Sequence, residues 1–153
     1  MIVAIDPGAK GGIAVYDPDM GGAQVTVWPI PETTGQILDL LRKFAPGPGI
    51  AVLEEVSGFI GKRQPGSAMF KFGKGYGFLL GVLMALNYRV EQVRPQKWQK
   101  ELGIGTASAC ATQAIWKRKL LQRAQERYPG VPVTLRTADA LLILDWYLNQ
   151  RKA

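Results

Sequence analysis

Three carboxylates fall where predicted elements end. Asp6 closes the apolar run 1–5, Glu54 closes the apolar run 50–53, and Asp139 opens the last helical stretch. Acids at element ends that face one edge of a sheet can converge, and oxygen-only ligands select hard cations such as magnesium or manganese. Two such ions, roughly 4 Å apart, activate a water and stabilise the leaving oxygen in phosphodiester hydrolysis. Singly, each acid has a plainer role: Asp139 complements a helix dipole, and Glu54 or Glu55 is solvated at a strand end. Their joint placement is what points to a cation site.

Composition narrows the chemistry further. The chain has no histidine, which excludes Ser-His and Cys-His catalysis and any histidine-ligated metal. Cys110 is alone, so there is no internal disulfide and no zinc ribbon, and a reducing, cytoplasmic setting is expected. No apolar run approaches the ~20 residues a membrane helix needs, so no membrane partner is expected. The 153 residues, 47% of them hydrophobic, suit one domain spanning 1–153. With 19 Lys and Arg against 12 Asp and Glu, the formal charge is +7, which makes polyanions plausible partners.

The elements that must position the acids follow from periodicity. Residues 1–16 read as a strand, a glycine-rich turn and a pairing strand, with a third strand over 24–29, an antiparallel meander. Thr33 or Thr34 caps a helix to Phe44 with Ile37, Leu38, Leu41 and Phe44 on one face. The buried strand 50–53 follows, and a helical crossover favours its parallel pairing beside the first strand, which brings Glu54 near Asp6. A loop over 56–66 holds Phe59, Lys62 and Arg63 among glycines and prolines.

Ser67 caps a long helix to Leu86 whose Gly73, Gly77 and Gly81 recur every fourth residue, along one face. Each costs the helix roughly 1 kcal/mol relative to alanine, so the stripe implies close packing on the sheet or a contact with a second copy. A strand over 88–93 and a short helix begun by Pro95 come next. A helix over 107–128 carries an apolar stripe of Cys110, Ala114, Leu121, Ala124 and Tyr128, and a basic stripe of Lys119, Arg123 and Arg127. That basic stripe is either a solvated face or a phosphate-binding one. The last helix runs from Thr137 to Leu148.

Five blocks of sequence, in order, resemble the RuvC-type Holliday junction resolvases, above all the short RuvC-like proteins of phages and bacteria. They are Ile5-Asp6-Pro7-Gly8 with Gly11-Gly12, Val52-Leu53-Glu54-Glu55-Val56, Phe72-Gly73-Lys74-Gly75-Tyr76-Gly77, Val93-Arg94-Pro95-Gln96-Lys97-Trp98 and Ala138-Asp139-Ala140-Leu141-Leu142. The resemblance implies a ribonuclease H-like α/β fold, a five-stranded mixed sheet with helices on both faces. It also implies a homodimer and magnesium-dependent nicking of two opposed strands at a four-way DNA junction. Asp6, Glu54 and Asp139 match the catalytic acids, with Glu55 the alternative to Glu54. Phe59, Lys62 and Arg63 match a loop that reaches the junction centre, though Phe59 suits a buried core position equally. Lys74, Lys97 and the run Lys117-Arg118-Lys119 are further DNA-binding candidates.

One departure stands out. The resolvases usually place a fourth metal ligand or a histidine three residues before the last aspartate, and here that position is Arg136, which repels a cation. Asp145 lies about 240° further around the helix and is a poor substitute. Either three acids suffice, with Glu55 or water filling in, or the site is attenuated and Arg136 offsets phosphate charge. The expectations are therefore a junction-resolving endonuclease or a branched-DNA-binding protein without cleavage. A phosphotransferase of the actin and hexokinase type also begins with a strand and an aspartate-glycine turn, but needs two such domains to enclose a nucleotide.

Overall fold

A computed structural model of the chain describes residues 1–21, 24–44, 49–56 and 66–151. Its strands are β1 (Ile2–Asp6), β2 (Gly12–Tyr16), β3 (Val25–Pro29), β4 (Ile50–Glu54) and β5 (Arg89–Val93). They form one sheet in the order β3-β2-β1-β4-β5. β1 pairs antiparallel with β2, and β2 with β3, as the meander predicts. β1 pairs parallel with β4, placing Ile5 opposite Leu53, and β4 pairs parallel with β5. The next residue on each central strand, Asp6 and Glu54, therefore emerges at the same edge of the sheet.

Continuous apolar runs on β1, β2 and β4 are what a sheet covered on both faces requires. The period-two alternation divides each strand between two cores. Val3, Ile5, Ile13, Val15, Ala51 and Leu53 pack under helices α1 (Thr34–Lys43) and α2 (Gly66–Ala85). Ile2, Ala4, Ala14 and Val52 face α3 (Pro95–Glu101), α4 (Gln113–Arg127) and α5 (Ala138–Gln150). The five-stranded mixed sheet with helices on both faces is thus as expected. No helix among the described residues is long and apolar enough to cross a membrane.

Local signals explain most boundaries. Thr33 and Gln36 form a reciprocal capping box at the start of α1. At its other end the Tyr88 hydroxyl donates to the carbonyl of Phe44 at 2.6 Å. Two expectations need correction. The helix expected over 107–128 begins only at Gln113, where Thr112 caps it by accepting from the Ile115 amide at 3.2 Å, and residues Ala107–Ala109 form a separate turn of 3-10 helix. Its buried residues are Trp116, Leu120 and Ala124; of the expected stripe Ala124 is buried, Cys110, Leu121 and Tyr128 pack half-buried against the same core, and Ala114 is exposed.

The second correction concerns α2. Leu79 and Leu83 are its buried residues. A Cβ built on Gly73, Gly77 or Gly81 meets nothing within 4 Å, so the glycine stripe does not pack on the sheet. It faces outward beside Phe70 and Met84, which are 75% and 68% exposed.

Candidate active site

The turn after β1 is shaped by glycine. Gly8 has φ +124°, a conformation that L side chains rarely adopt, and the Gly11 amide closes the turn on the Gly8 carbonyl at 3.0 Å. Gly12 has a different task. A Cβ there would lie 2.5 Å from the Arg136 carbonyl oxygen and 2.8 Å from the Thr137 Cα, so only glycine lets the start of α5 sit against β2. This approach carries Asp139, in the first turn of α5, to the edge where Asp6 and Glu54 emerge. Asp139 is 7% exposed.

The three acids sense one another. Burial, then the charges of Glu54 and Asp139, push Asp6 up to about 8. Burial likewise raises Glu54 to about 7, helped by Asp139 and opposed by the indole of Trp98. Burial and mutual repulsion thus raise both Asp6 and Glu54, so the pair holds a proton more readily than free carboxylates do. A proton near neutral pH partly relieves charges that the fold has crowded out of water.

Two neighbours respond to this crowding. Trp98, fully buried in the middle of the short helix begun by Pro95, donates its indole N–H to Glu54 Oε1 at 2.9 Å. The Lys117 ammonium bonds Asp139 Oδ2 at 2.6 Å. Burial is the largest influence on Lys117 and pulls its pKa down, but Asp139, Asp6 and Glu54 together outweigh it and the net shift is upward.

The other expected residues are distributed as follows. Glu55 turns away, its carboxylate 3.1 Å from Arg94 Nε. Arg136 does not enter the acid cluster: its Nη2 donates to the carbonyls of Ala9 at 3.0 Å and Ile30 at 2.9 Å, bracing the β1–β2 turn against the end of β3. Lys74 and Arg118 are exposed. Lys97 and Lys119 are also exposed, each over an indole, that of Trp146 at 5.5 Å and that of Trp116 at 5.9 Å. Phe59, Lys62 and Arg63 lie outside the described residues. Trp98 had no role in the reading of the sequence beyond its place in a motif; the signal was an indole three residues after a helix-starting proline.

The residues fit a hard cation. Asp139 Oδ1 is buried and has no hydrogen-bond partner, and three carboxylates face a single ammonium. Among the described residues no three acids stand at the mutual spacing of a finished metal shell, and Lys117 occupies Oδ2 of Asp139.

Neither a protein-family model nor the sequence of a curated protein matches the chain. Solved structures do. RuvC of Thermus thermophilus is similar with a TM-score of 0.61 at 20% identity, covering 98% of this chain and 96% of that one. The same protein in complex with a Holliday junction substrate gives 0.59 at 18% identity, covering 97% and 95%. Over nearly all of its length, then, the chain has the fold of RuvC, as the resemblance of its motifs implied.

Proposed function

We propose that the chain is a divalent-metal-dependent endonuclease that resolves four-way or related branched DNA junctions by paired phosphodiester hydrolysis, as a homodimer. The observation that carries this reading is the convergence of Asp6, Glu54 and Asp139 at one sheet edge, in the fold of a protein solved with a Holliday junction. Asp6, Glu54 and Asp139 would hold magnesium, or manganese in its place, as two ions. When bound, such an ion supplies Lewis-acid stabilisation of charge on the phosphodiester.

The chain's own groups do the rest. The Asp6–Glu54 pair takes up or gives a proton near neutral pH, the range in which general acid-base groups work best. Trp98 holds the Glu54 carboxylate in one orientation. Lys74, Lys97, Arg118 and Lys119, with Phe59, Lys62 and Arg63 of the segment that follows Glu54 in sequence, supply phosphate and junction-centre contacts; junction affinity then falls steeply with added salt. The outward stripe of Phe70, Gly73, Gly77, Gly81 and Met84 on α2 suits a second copy, because small residues let two helices approach closely between apolar anchors. DNA recombination and repair in a bacterial or phage-infected cytoplasm is the corresponding setting.

A second reading has its own support. Arg136 stands where a fourth ligand is expected and Lys117 neutralises Asp139, as in a protein that binds branched DNA without cutting it. Nicking of a synthetic four-way junction in magnesium or manganese, compared with Asp6→Asn, decides between them. Paired nicks lost in the variant support the nuclease, and binding without cleavage in either metal leaves only the second reading.

A further inference from the structure

We infer that the Lys117 ammonium is the resident counter-ion of the acidic site, and that a divalent cation enters by displacing it from Asp139. This rests on the metal-dependent reading above and adds to it a residue that sets how strongly the free chain holds metal. The two oxygens of Asp139 differ: Oδ2 accepts from Lys117 at 2.6 Å, while Oδ1 is buried without a partner. The carboxylate is therefore half satisfied, with its open oxygen available to a cation.

The partners also differ in freedom. The Asp139 side chain is 10% exposed, on a helix buried along most of its length, and the Lys117 side chain is 37% exposed. An ammonium on a four-carbon stem can swing outward; a carboxylate in the first turn of a packed helix cannot. A divalent ion on Asp139 would stand within a few ångströms of the ammonium, and two cations that close in a poorly solvated site repel. Occupancy by one thus weakens the other, and the metal affinity of the free chain is reduced by the ammonium it must shed.

Manganese titration of the full chain, followed by electron paramagnetic resonance, tests this in four proteins: wild type, Lys117→Gln, Lys117→Arg and Arg42→Gln. Arg42 is an exposed cation on α1 whose loss controls for net charge. Lys117→Gln should bind manganese at least tenfold more tightly, roughly the effect of removing one close like charge, while the other variants stay within about threefold of wild type. Binding by Lys117→Gln no tighter than by Arg42→Gln would overturn the inference. A measurement on wild type alone guards against a variant that fails to fold. The ¹⁵N signal of a salt-bridged lysine ammonium should disappear or move as magnesium is added, and its persistence at saturation is equally fatal. Junction cleavage is scored separately. A wild type that cuts DNA but shows neither effect loses only this inference, and one that shows both effects without cutting loses only the nuclease reading.

Discussion

Helix α5 carries two buried aspartates in opposite circumstances. Asp145 has both oxygens bonded: Oδ2 accepts from Arg127 Nε at 3.0 Å, and Oδ1 from Arg127 Nη2 at 2.9 Å and the Tyr128 hydroxyl at 3.1 Å. Asp139 has one oxygen on Lys117 and the other on nothing. A carboxylate saturated by a bidentate arginine is a tie between helices and has no capacity left for a ligand. A carboxylate buried beside two other acids and left half unsatisfied costs stability, and such a cost points to a site.

The sharpest way to break this comparison is to neutralise each acid in turn. Asp139→Asn should lower junction cleavage by on the order of a thousandfold, the scale of losing several kcal/mol of transition-state charge stabilisation, with little loss of fold stability. Asp145→Ala should do the reverse, leaving Arg127 without its partner and lowering stability by about 2 kcal/mol in denaturant melts, a buried-pair penalty reduced because Arg127 is partly exposed. If the two variants exchange phenotypes, the division of labour along α5 is wrong.

Trp98 sharpens the comparison from the other side of the site. Trp98→Phe removes the indole N–H donor on Glu54, and cleavage should fall by about 10 to 100-fold, as for other groups that orient a metal-binding carboxylate. Because that bond favours ionised Glu54, its loss should also move the acidic limb of the pH–rate profile to higher pH. An unshifted limb would mean that the indole only fills space.

The crowded acids predict an unusual stability profile. Asp6 and Glu54 have folded pKa values above their unfolded ones, so the folded chain binds more protons between about pH 4 and pH 8, and metal-free stability declines as pH rises through that window. Scanning calorimetry in chelator should show Tm falling from pH 5 to pH 8 by on the order of 5 °C, with Asp6→Asn flattening the trend and manganese reversing it in wild type. The smallest effect is expected on the outer face of α2. Phe70→Glu should convert a micromolar dimer to monomer by sedimentation velocity without moving Tm, because the residue is 75% exposed within one chain.

Much of this arrangement was legible in the sequence. The apolar runs of β1 and β4, with a capped helix in the connection between them, favoured parallel pairing, and that pairing brings Asp6 and Glu54 to one edge. Asp139 was legible as an acid at a helix start. What escaped was decided by side chains meeting across the fold. Thr112 competes with Thr106 and Ser108 as a helix cap, and local propensity does not rank them, so the start of α4 was misplaced. The phase of α4 depends on Trp116 finding the core, and that phase aims Lys117 at Asp139 instead of at solvent. The spacing of Gly73, Gly77 and Gly81 is periodic whichever way α2 is rotated, so the pattern names a face without saying what the face meets.

Gly12 has a consequence for how the site comes into being. The contact it permits joins β2 to the backbone at Arg136 and Thr137, nearly the length of the chain away. Contacts of such separation form late, because the entropy of closing the intervening loop opposes them until other structure has shortened it. A nascent chain, or one clipped before α5, can bring Asp6 and Glu54 together through β1 and β4 and still lack the third acid. Assembly of the three-acid cluster is thereby tied to completion of the fold, and any chemistry that needs all three acids waits for α5.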